Sequence, residues 1–377
     1  MQPAMIMLIL WGYSFFYLLV RSLMNEASIT SMLNEVDNFL LPCAVLVIFS
    51  GFITQTEERL KDKIISASKL VVSLLSINAC WTILGMVTDL TAINKLFWGG
   101  DTAINAATMG RYSGIFNQPA EAGTMYSIGI VLWLYIVDVV GLKTRHIFSL
   151  MLMIIGGLLT VSKVFLFGGL LLLLIGVVQT KTIRKRILKL LFLFSVLAVA
   201  PFYYLTQTWS GLNYLLRFLD FESSENIVNL LSAGRYGEGS QQSRFFSEIW
   251  SENPLIGKGF GHLVTYDSGF FHFFGNGGII ALVMYVVILL FFVSMSLKFA
   301  KLFNNSESKM FSRLTMLIIL GSFGVPVLTL NRISVVLWVM VGLLLQYYWV
   351  QKKAVSPVTS TAKHKEKRGF APQQIHS

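Results

Sequence analysis

The sequence predicts an all-α membrane protein, a polytopic bundle of ten transmembrane helices with both termini in the cytoplasm. Of its 377 residues, 55% are hydrophobic and only 13% are charged, whereas soluble proteins average about 25% charged residues. Uncharged stretches such as residues 39–53 and 279–297 are suited to the hydrocarbon core of a bilayer. Because these stretches are continuously apolar rather than alternating, they predict helices and not the strands of a β-barrel.

Ten stretches are predicted to span the membrane, each judged against the roughly 20 residues that one crossing requires. They cover residues 4–20, 38–54, 64–88, 122–140, 147–161, 164–178, 188–206, 270–297, 313–330 and 334–351. Residues 147–178 could instead form one helix, but it would be about 48 Å long against a hydrocarbon core of about 30 Å. The polar residues 160–163 therefore favour a hairpin of two short helices.

Basic residues set the predicted orientation, because Lys and Arg concentrate in cytoplasmic loops. With ten spans, the clusters at 59–63, 143–145, 181–189, 298–309 and 352–368 all fall on one side. Cytoplasmic loops thereby account for the net charge of +11, and no nucleic-acid partner is expected. Residues 1–351 are predicted to form a single integral membrane domain, and residues 352–377 a basic, disordered cytoplasmic tail.

The largest predicted outside loop, residues 207–269, lies on the periplasmic or extracellular side and is expected to contain short amphipathic helices. Apolar residues recur there at helical spacing, at Phe245, Phe246, Ile249 and Trp250. Arg244 falls on the opposite face of that helix, which should end before Pro254. Such a helix can lie on the membrane surface or pack against the bundle, and both interpretations stay open.

Cations on the predicted outer side run against the positive-inside rule and indicate an anionic ligand. The guanidinium group is a planar fork of donors that suits phosphate, so a diphosphate held at the membrane surface is predicted. The candidate diphosphate-binding residues are Arg111, Lys163, Arg217, Arg235, Arg244 and Arg332. Each of them could instead pair with a nearby acid or a lipid headgroup.

Acid–base candidates are Asp267 and His272, which lie where the large loop re-enters the membrane. Asp267 could equally be a helix cap, and His272 a packed interface residue. Glu121 has the plain explanation of an acid in the first turn of a helix. The sequence has no P-loop, no paired-Asp motif for a sugar nucleotide and no metal-ligand spacing, so neither a cofactor nor a metal is expected.

Four segments resemble, in order, motifs of bacterial O-antigen polymerases and ligases. They are residues 110–119 (GRYSGIFNQP), 159–163 (LTVSK), 243–244 with 252–261 (SR and ENPLIGKGFG), and 267–271 with 276–280 (DSGFF and NGGII). Ligases typically carry a His-Asn pair where this chain has Asp267 and Ser268, so the resemblance is to the polymerases. The spacing from Arg244 to Gly257 departs from a loop motif that some polymerases carry.

The resemblance implies an enzyme that moves a growing glycan from one undecaprenyl diphosphate carrier to the sugar of the next. This would occur on the outer face of the bacterial cytoplasmic (inner) membrane, without a metal. Arg111 and Arg244 would hold the departing diphosphate, and Asp267 or His272 would take the acceptor proton.

The partners implied are the undecaprenyl-diphosphate-linked oligosaccharide, membrane lipids, a chain-length regulator and a flippase. An O-antigen ligase, a polysaccharide flippase or transporter, and a scaffold or receptor stay open as alternatives. A transporter is disfavoured because the predicted spans are poor in charge.

Overall fold

The computed structural model describes residues 2–25, 28–50, 56–98, 101–179, 209–212, 240–262 and 268–366. Helices and connecting turns make up these ranges, and no strand occurs in them. Six of the described helices are long and apolar enough to cross a membrane. An α-helical membrane protein is therefore supported, while the number of spans and the side of each terminus stay predictions.

The described helices follow the predicted spans. In chain order they are α1 (Pro3–Leu23), α2 (Ile29–Ser50), α3 (Glu57–Val87), α4 (Thr91–Asn94), α5 (Thr102–Thr108), α6 (Pro119–Val140), α7 (Thr144–Leu159), a π-helical segment (Val164–Gly169) continuing into α8 (Leu170–Gln179), α9 (Gln241–Glu252), α10 (Gly269–Phe303), α11 (Ser306–Ser322) and α12 (Asn331–Glu366). Every predicted span except the seventh overlaps one of them. The seventh, 188–206, lies outside the described residues.

Helix α6 is the centre of the bundle. It is buried from its first turn to Val137, apart from Ala120. Helices α3, α7 and α11 and the π-helical segment all pack against it. Small residues on α6 allow this close packing, since a Cβ on Gly123 would meet Ser162 of the hairpin tip and one on Gly129 would meet Leu75 of α3 and Met153 of α7.

The stretch 147–178 is a hairpin of two short helices, as the sequence predicts. Helix α7 ends before Val161, whose φ of 46° is a left-handed conformation that stops the helix. At the tip of the hairpin, Ser162 lies against Gly123, near the start of α6. His146 of α7 and Gly176 of α8 both contact the last turns of α6. Both arms therefore reach back to the same end of the bundle.

The bundle has an outer end and an inner end, named here after the sides that the basic loops predict. The outer end holds the start of α6 and the hairpin tip. At the inner end Arg313 Nη1 lies 3.0 Å from Asp138 Oδ2, and both side chains are buried. Glu35, Glu121 and Glu307 are also buried. The described bundle thus contains more buried charge than the sequence suggests, because the partners come from distant segments.

Helix α12 continues to Glu366. The basic, disordered tail expected for residues 352–377 stays a prediction. Residues 367–377 lie outside the described residues.

Candidate functional site

The segment 110–118, which joins α5 to α6 at the outer end, carries Arg111. Gly114 has a φ of 62°, which glycine adopts readily. The Trp98 indole N–H donates to the Gly114 carbonyl at 3.0 Å. The Tyr112 N–H donates to the Leu159 carbonyl at 2.9 Å, and so ties the segment to the hairpin tip. The backbone of this segment is therefore fixed on both sides.

Arg111 extends toward the hairpin tip. Its Nε donates to the Thr160 carbonyl and its Nη2 to the Val161 carbonyl, each at 3.4 Å. Lys163 is half-buried and lies two residues beyond Val161. The structure thereby places the Arg111 guanidinium on the hairpin tip that carries Lys163.

Arg332, at the start of α12, holds the same segment from another direction. Its Nη1 donates to the Ile115 carbonyl at 2.7 Å, and its Nη2 donates to the Phe97 carbonyl at 2.6 Å. Its charge also lies close enough to attract the Glu121 carboxylate. Arg111, Lys163 and Arg332 therefore all belong to the surroundings of segment 110–118.

Glu121 occupies the first turn of α6, as the sequence suggests. Its Oε2 accepts from the Asn117 N–H at 3.1 Å. Its Oε1 is buried and has no hydrogen-bond partner among the described residues. A buried carboxylate oxygen without a donor is costly, and Glu121 is only 2% exposed, so Glu121 is a buried acid beside the cations whose setting sequence reasoning passed over. The signal for it is the neighbouring Arg332, which only the fold reveals.

His272 is packed within the bundle. It is only 3% exposed, its Nδ1 lies 3.1 Å from Thr329 Oγ1, and its ring meets Phe39 edge-on with centroids 5.5 Å apart. Thr329 lies in the turn that precedes α12, three residues before Arg332 in the chain. This placement fits a packed interface residue better than a base that contacts substrate.

Three of the predicted site residues, Asp267, Arg217 and Arg235, lie outside the described residues. The next residue, Ser268, is the N-cap of α10, since its Oγ accepts from the Phe271 N–H at 2.9 Å. The capping role considered for Asp267 therefore belongs to its neighbour.

Arg244 lies on α9, in the helix that the spacing predicts, and is exposed. The apolar face of α9 packs on the first turns of α10. Phe246 stacks on Phe274 with centroids 5.1 Å apart, and Phe245 contacts Phe271. Packing against the bundle is thus one role of α9, and Arg244 stands on a separate element from segment 110–118.

The loop after α9 inserts into a break in α10. The break is at Gly277 and Gly278, whose backbone is not helical. Around it, backbone groups of α10 pair with residues 254–259, which we call the plug. The bonds run from the N–H groups of Ile279, Ile280, Lys258 and Gly259 to the carbonyls of Pro254, Leu255, Gly275 and Asn276, respectively, at 2.7–3.2 Å. The plug therefore replaces hydrogen bonds that the break removes.

The glycines of this motif allow one backbone to approach another. A Cβ on Gly278 would come within 2.3 Å of the Leu255 carbonyl carbon, and one on Gly257 would come within 2.5 Å of the Gly278 nitrogen. The Lys258 side chain forms ion pairs with Glu248 and Glu252, and so connects the plug to α9. The motif that contributes to the resemblance thus has a structural role in this chain.

Glu35 of α2 is a second residue that sequence reasoning missed, since the sequence suggests an outside loop up to residue 37. It is 8% exposed. It accepts hydrogen bonds from Asn276 Nδ2, at 3.2 Å, and from the Gly261 N–H. Asn276 Oδ1 is buried and has no hydrogen-bond partner in the described ranges. Glu35 therefore links α2 to the break in α10 and to Gly261, just after the plug.

Comparisons with protein families, with curated proteins and with solved structures give no match for this chain. The resemblance to O-antigen polymerases therefore rests on the sequence motifs alone. Within the described ranges, no three His, Cys, Asp or Glu side chains are grouped as metal ligands.

Proposed function

We propose that the chain is a polymerase of undecaprenyl-diphosphate-linked oligosaccharide repeat units, acting on the outer face of the bacterial cytoplasmic membrane. Its product would be O-antigen, capsule or exopolysaccharide. One observation carries the proposal: at the outer end Arg332 donates to the backbone of segment 110–118, and Arg111 of that segment donates to the hairpin tip, two residues from Lys163 in the chain. Cations positioned in this way can stabilise the charge of a departing lipid diphosphate.

The two arginines are positioned without being neutralised by these contacts. Each donates two of the five N–H groups of its guanidinium to backbone carbonyls. Because carbonyl groups carry no net charge, these bonds hold each side chain in place without themselves offsetting its positive charge.

In the proposed reaction, an acceptor hydroxyl attacks the anomeric carbon of the growing glycan. The bond from that carbon to the diphosphate oxygen breaks, and the oxygen keeps the electron pair. The hydroxyl proton passes to a base within hydrogen-bond reach. Glu121 and His272 are both almost fully buried in the described structure, so neither is placed to meet that hydroxyl directly. Asp267 remains the candidate outside the described residues.

A flippase or transporter is the second candidate, because a broken helix and a buried acid often form substrate sites in transporters. Helix α10 is broken at Gly277 and Gly278, and Glu35 is buried beside it. Here, however, backbone groups on both sides of the break bond to the plug rather than facing a cavity. This pairing favours the polymerase. A ligase would use the same cations with a different acceptor.

The test replaces Arg111 and Arg332 by glutamine, which can still donate to a carbonyl but carries no charge. Each variant is expressed as the only copy in cells that need this protein for surface glycan. We expect normal insertion, single repeat units on the outer face and loss of long-chain glycan. Arg59→Gln, at an exposed site of the inner end, is the matched control and should leave the glycan ladder unchanged.

Arg244→Ala should also remove long-chain glycan if the arginine of α9 joins the site. If both Arg111→Gln and Arg332→Gln gave the same surface glycan lengths as the parent protein, the proposal would be refuted. Long glycan that stays on its carrier lipid would identify a ligase, and repeat units left facing the cytoplasm would identify a flippase.

A further inference from the structure

A cavity of about 210 Å³ lies at the inner end, between α8, the last turns of α10 and the first turns of α11. It is distinct from the candidate site, because the cation cluster around segment 110–118 lies at the opposite end of the bundle. Neither the resemblance nor the proposed function assigns it a role.

One wall of the cavity is polar and basic. Lys309 and Arg313 are four residues apart on α11, so they lie on one face of that helix. Ser312 lines the same wall. Arg313 is buried and bonded to Asp138, at 3.0 Å, and to Gln179, at 3.3 Å. Its Nε has no hydrogen-bond partner in the described part of the chain.

Lys309 determines the net charge of this wall. The carboxylate of Asp138 offsets the charge of Arg313, whereas Lys309 is exposed and lies in the first turn of α11. The N-terminus of a helix carries a partial positive charge that favours anions. Glu307, in the same turn, is buried, accepts from the Tyr135 hydroxyl and does not line the cavity. The charged side chains at the mouth of the cavity are therefore basic.

The opposite part of the cavity is apolar. Leu172 and Ile175 of α8 and Met316 of α11 line it at positions further from the inner end than Lys309. A basic mouth followed by an apolar interior matches an amphiphile, with its phosphate at Lys309 and the start of its acyl chain against the aliphatic side chains. Free phosphate would leave the apolar part uncovered.

We propose that this cavity binds an anionic phospholipid of the cytoplasmic leaflet. Basic pockets between membrane helices on the cytoplasmic side commonly bind such headgroups. The inference does not depend on the proposed function, because it concerns the opposite end of the bundle and a different ligand.

The test uses the full-length protein, purified in a neutral detergent, and follows thermal unfolding by tryptophan fluorescence. Phosphatidylglycerol, phosphatidylcholine or inorganic phosphate is added to parallel samples. We expect phosphatidylglycerol to raise the unfolding midpoint at a lower mole fraction than phosphatidylcholine does, and inorganic phosphate to have no effect. A ligand that binds only the folded state raises the midpoint in this way.

Lys309→Ala is the test variant, because the exposed side chain can be removed without opening the core. It should raise the mole fraction of phosphatidylglycerol that gives half the effect roughly fivefold. Lys63→Ala, at an exposed lysine of α3 that does not line the cavity, is the control and should match the parent. Ala300→Phe, which fills the cavity from α10, should abolish the selective effect.

Equal stabilisation by the two lipids, an equal effect of inorganic phosphate, or an unchanged lipid response in both Lys309→Ala and Ala300→Phe would each overturn the proposal. If another segment of this chain covers the cavity, Lys309→Ala and Ala300→Phe will both respond to lipid as the parent does. None of these outcomes bears on glycan polymerisation, which is measured separately in cells.

Discussion

The plug in α10 predicts that Gly278→Ala is strongly destabilising. Gly278 has φ 63° and ψ −156°, a region that is essentially restricted to glycine. An added Cβ would lie 2.3 Å from the Leu255 carbonyl carbon and 2.5 Å from the Ile256 nitrogen. These are backbone atoms that cannot rotate away, so the plug must move out of the break.

Gly141 provides a matched control, because its φ of 85° and ψ of 163° lie in the same region while a Cβ there would meet no atom within 4 Å. Gly141→Ala should lower the free energy of unfolding by about 1–3 kcal/mol, from backbone strain alone. Gly278→Ala adds about 1–3 kcal/mol for overpacking and a similar amount for the two bonds donated by Ile279 and Ile280. The difference between the variants is therefore about 2–6 kcal/mol.

The assay compares the thermal unfolding midpoints of the two variants in detergent, together with limited proteolysis below those midpoints. Gly278→Ala should unfold at a clearly lower temperature than Gly141→Ala and should be cut near residues 254–259, whereas Gly141→Ala should stay protected there. Equal midpoints with a protected loop in both variants would show that the plug does not fill the break, and would refute the reasoning.

Two further predictions concern buried charge. Arg313→Met alone leaves the Asp138 carboxylate without its partner and should cost about 3–5 kcal/mol, while adding Asp138→Leu should recover most of that loss; strictly additive losses in thermal unfolding would contradict a coupled pair. Glu35→Gln keeps an acceptor for Asn276 and for the backbone of Gly261 and should preserve the plug. Glu35→Leu should expose the loop after α9 to protease, because each donor left unsatisfied costs about 1–3 kcal/mol; identical digestion of the two Glu35 variants would contradict the proposed link.

The helices could be predicted because each long apolar run carries its own signal, and the hairpin because Thr160, Ser162 and Lys163 interrupt two apolar arms. The break in α10 could not. Asn276, Gly277 and Gly278 suggest only close packing when taken alone, and the plug that makes the break stable comes from an earlier segment of the chain. A non-local partner of this kind leaves no periodic signal in the sequence.

The candidate site was predictable to a similar degree. The positive-inside rule marks Arg111, Lys163 and Arg332 as unusual outside cations, and in the fold both arginines bond the backbone at or beside segment 110–118. Burial was not predictable, since nothing near His272 in sequence indicates the packing of Phe39 and Thr329 around it. Glu35 was missed for the same reason, because its partners are Asn276 of α10 and Gly261, which follows the plug.

The motifs that carry the resemblance have two different physical roles, which can be separated by experiment. Segments 110–119 and 159–163 position cations. Removing a charge there should therefore shorten the surface glycan, while the unfolding midpoint stays near that of the parent. Segments 252–261 and 276–280 form a backbone junction, so changes there should lower the midpoint first and reduce the glycan only as folded protein is lost. If charge-removing variants of Arg111 lost stability in parallel with Gly278→Ala, segment 110–118 would be a structural element too. The cation cluster would then no longer support a diphosphate site.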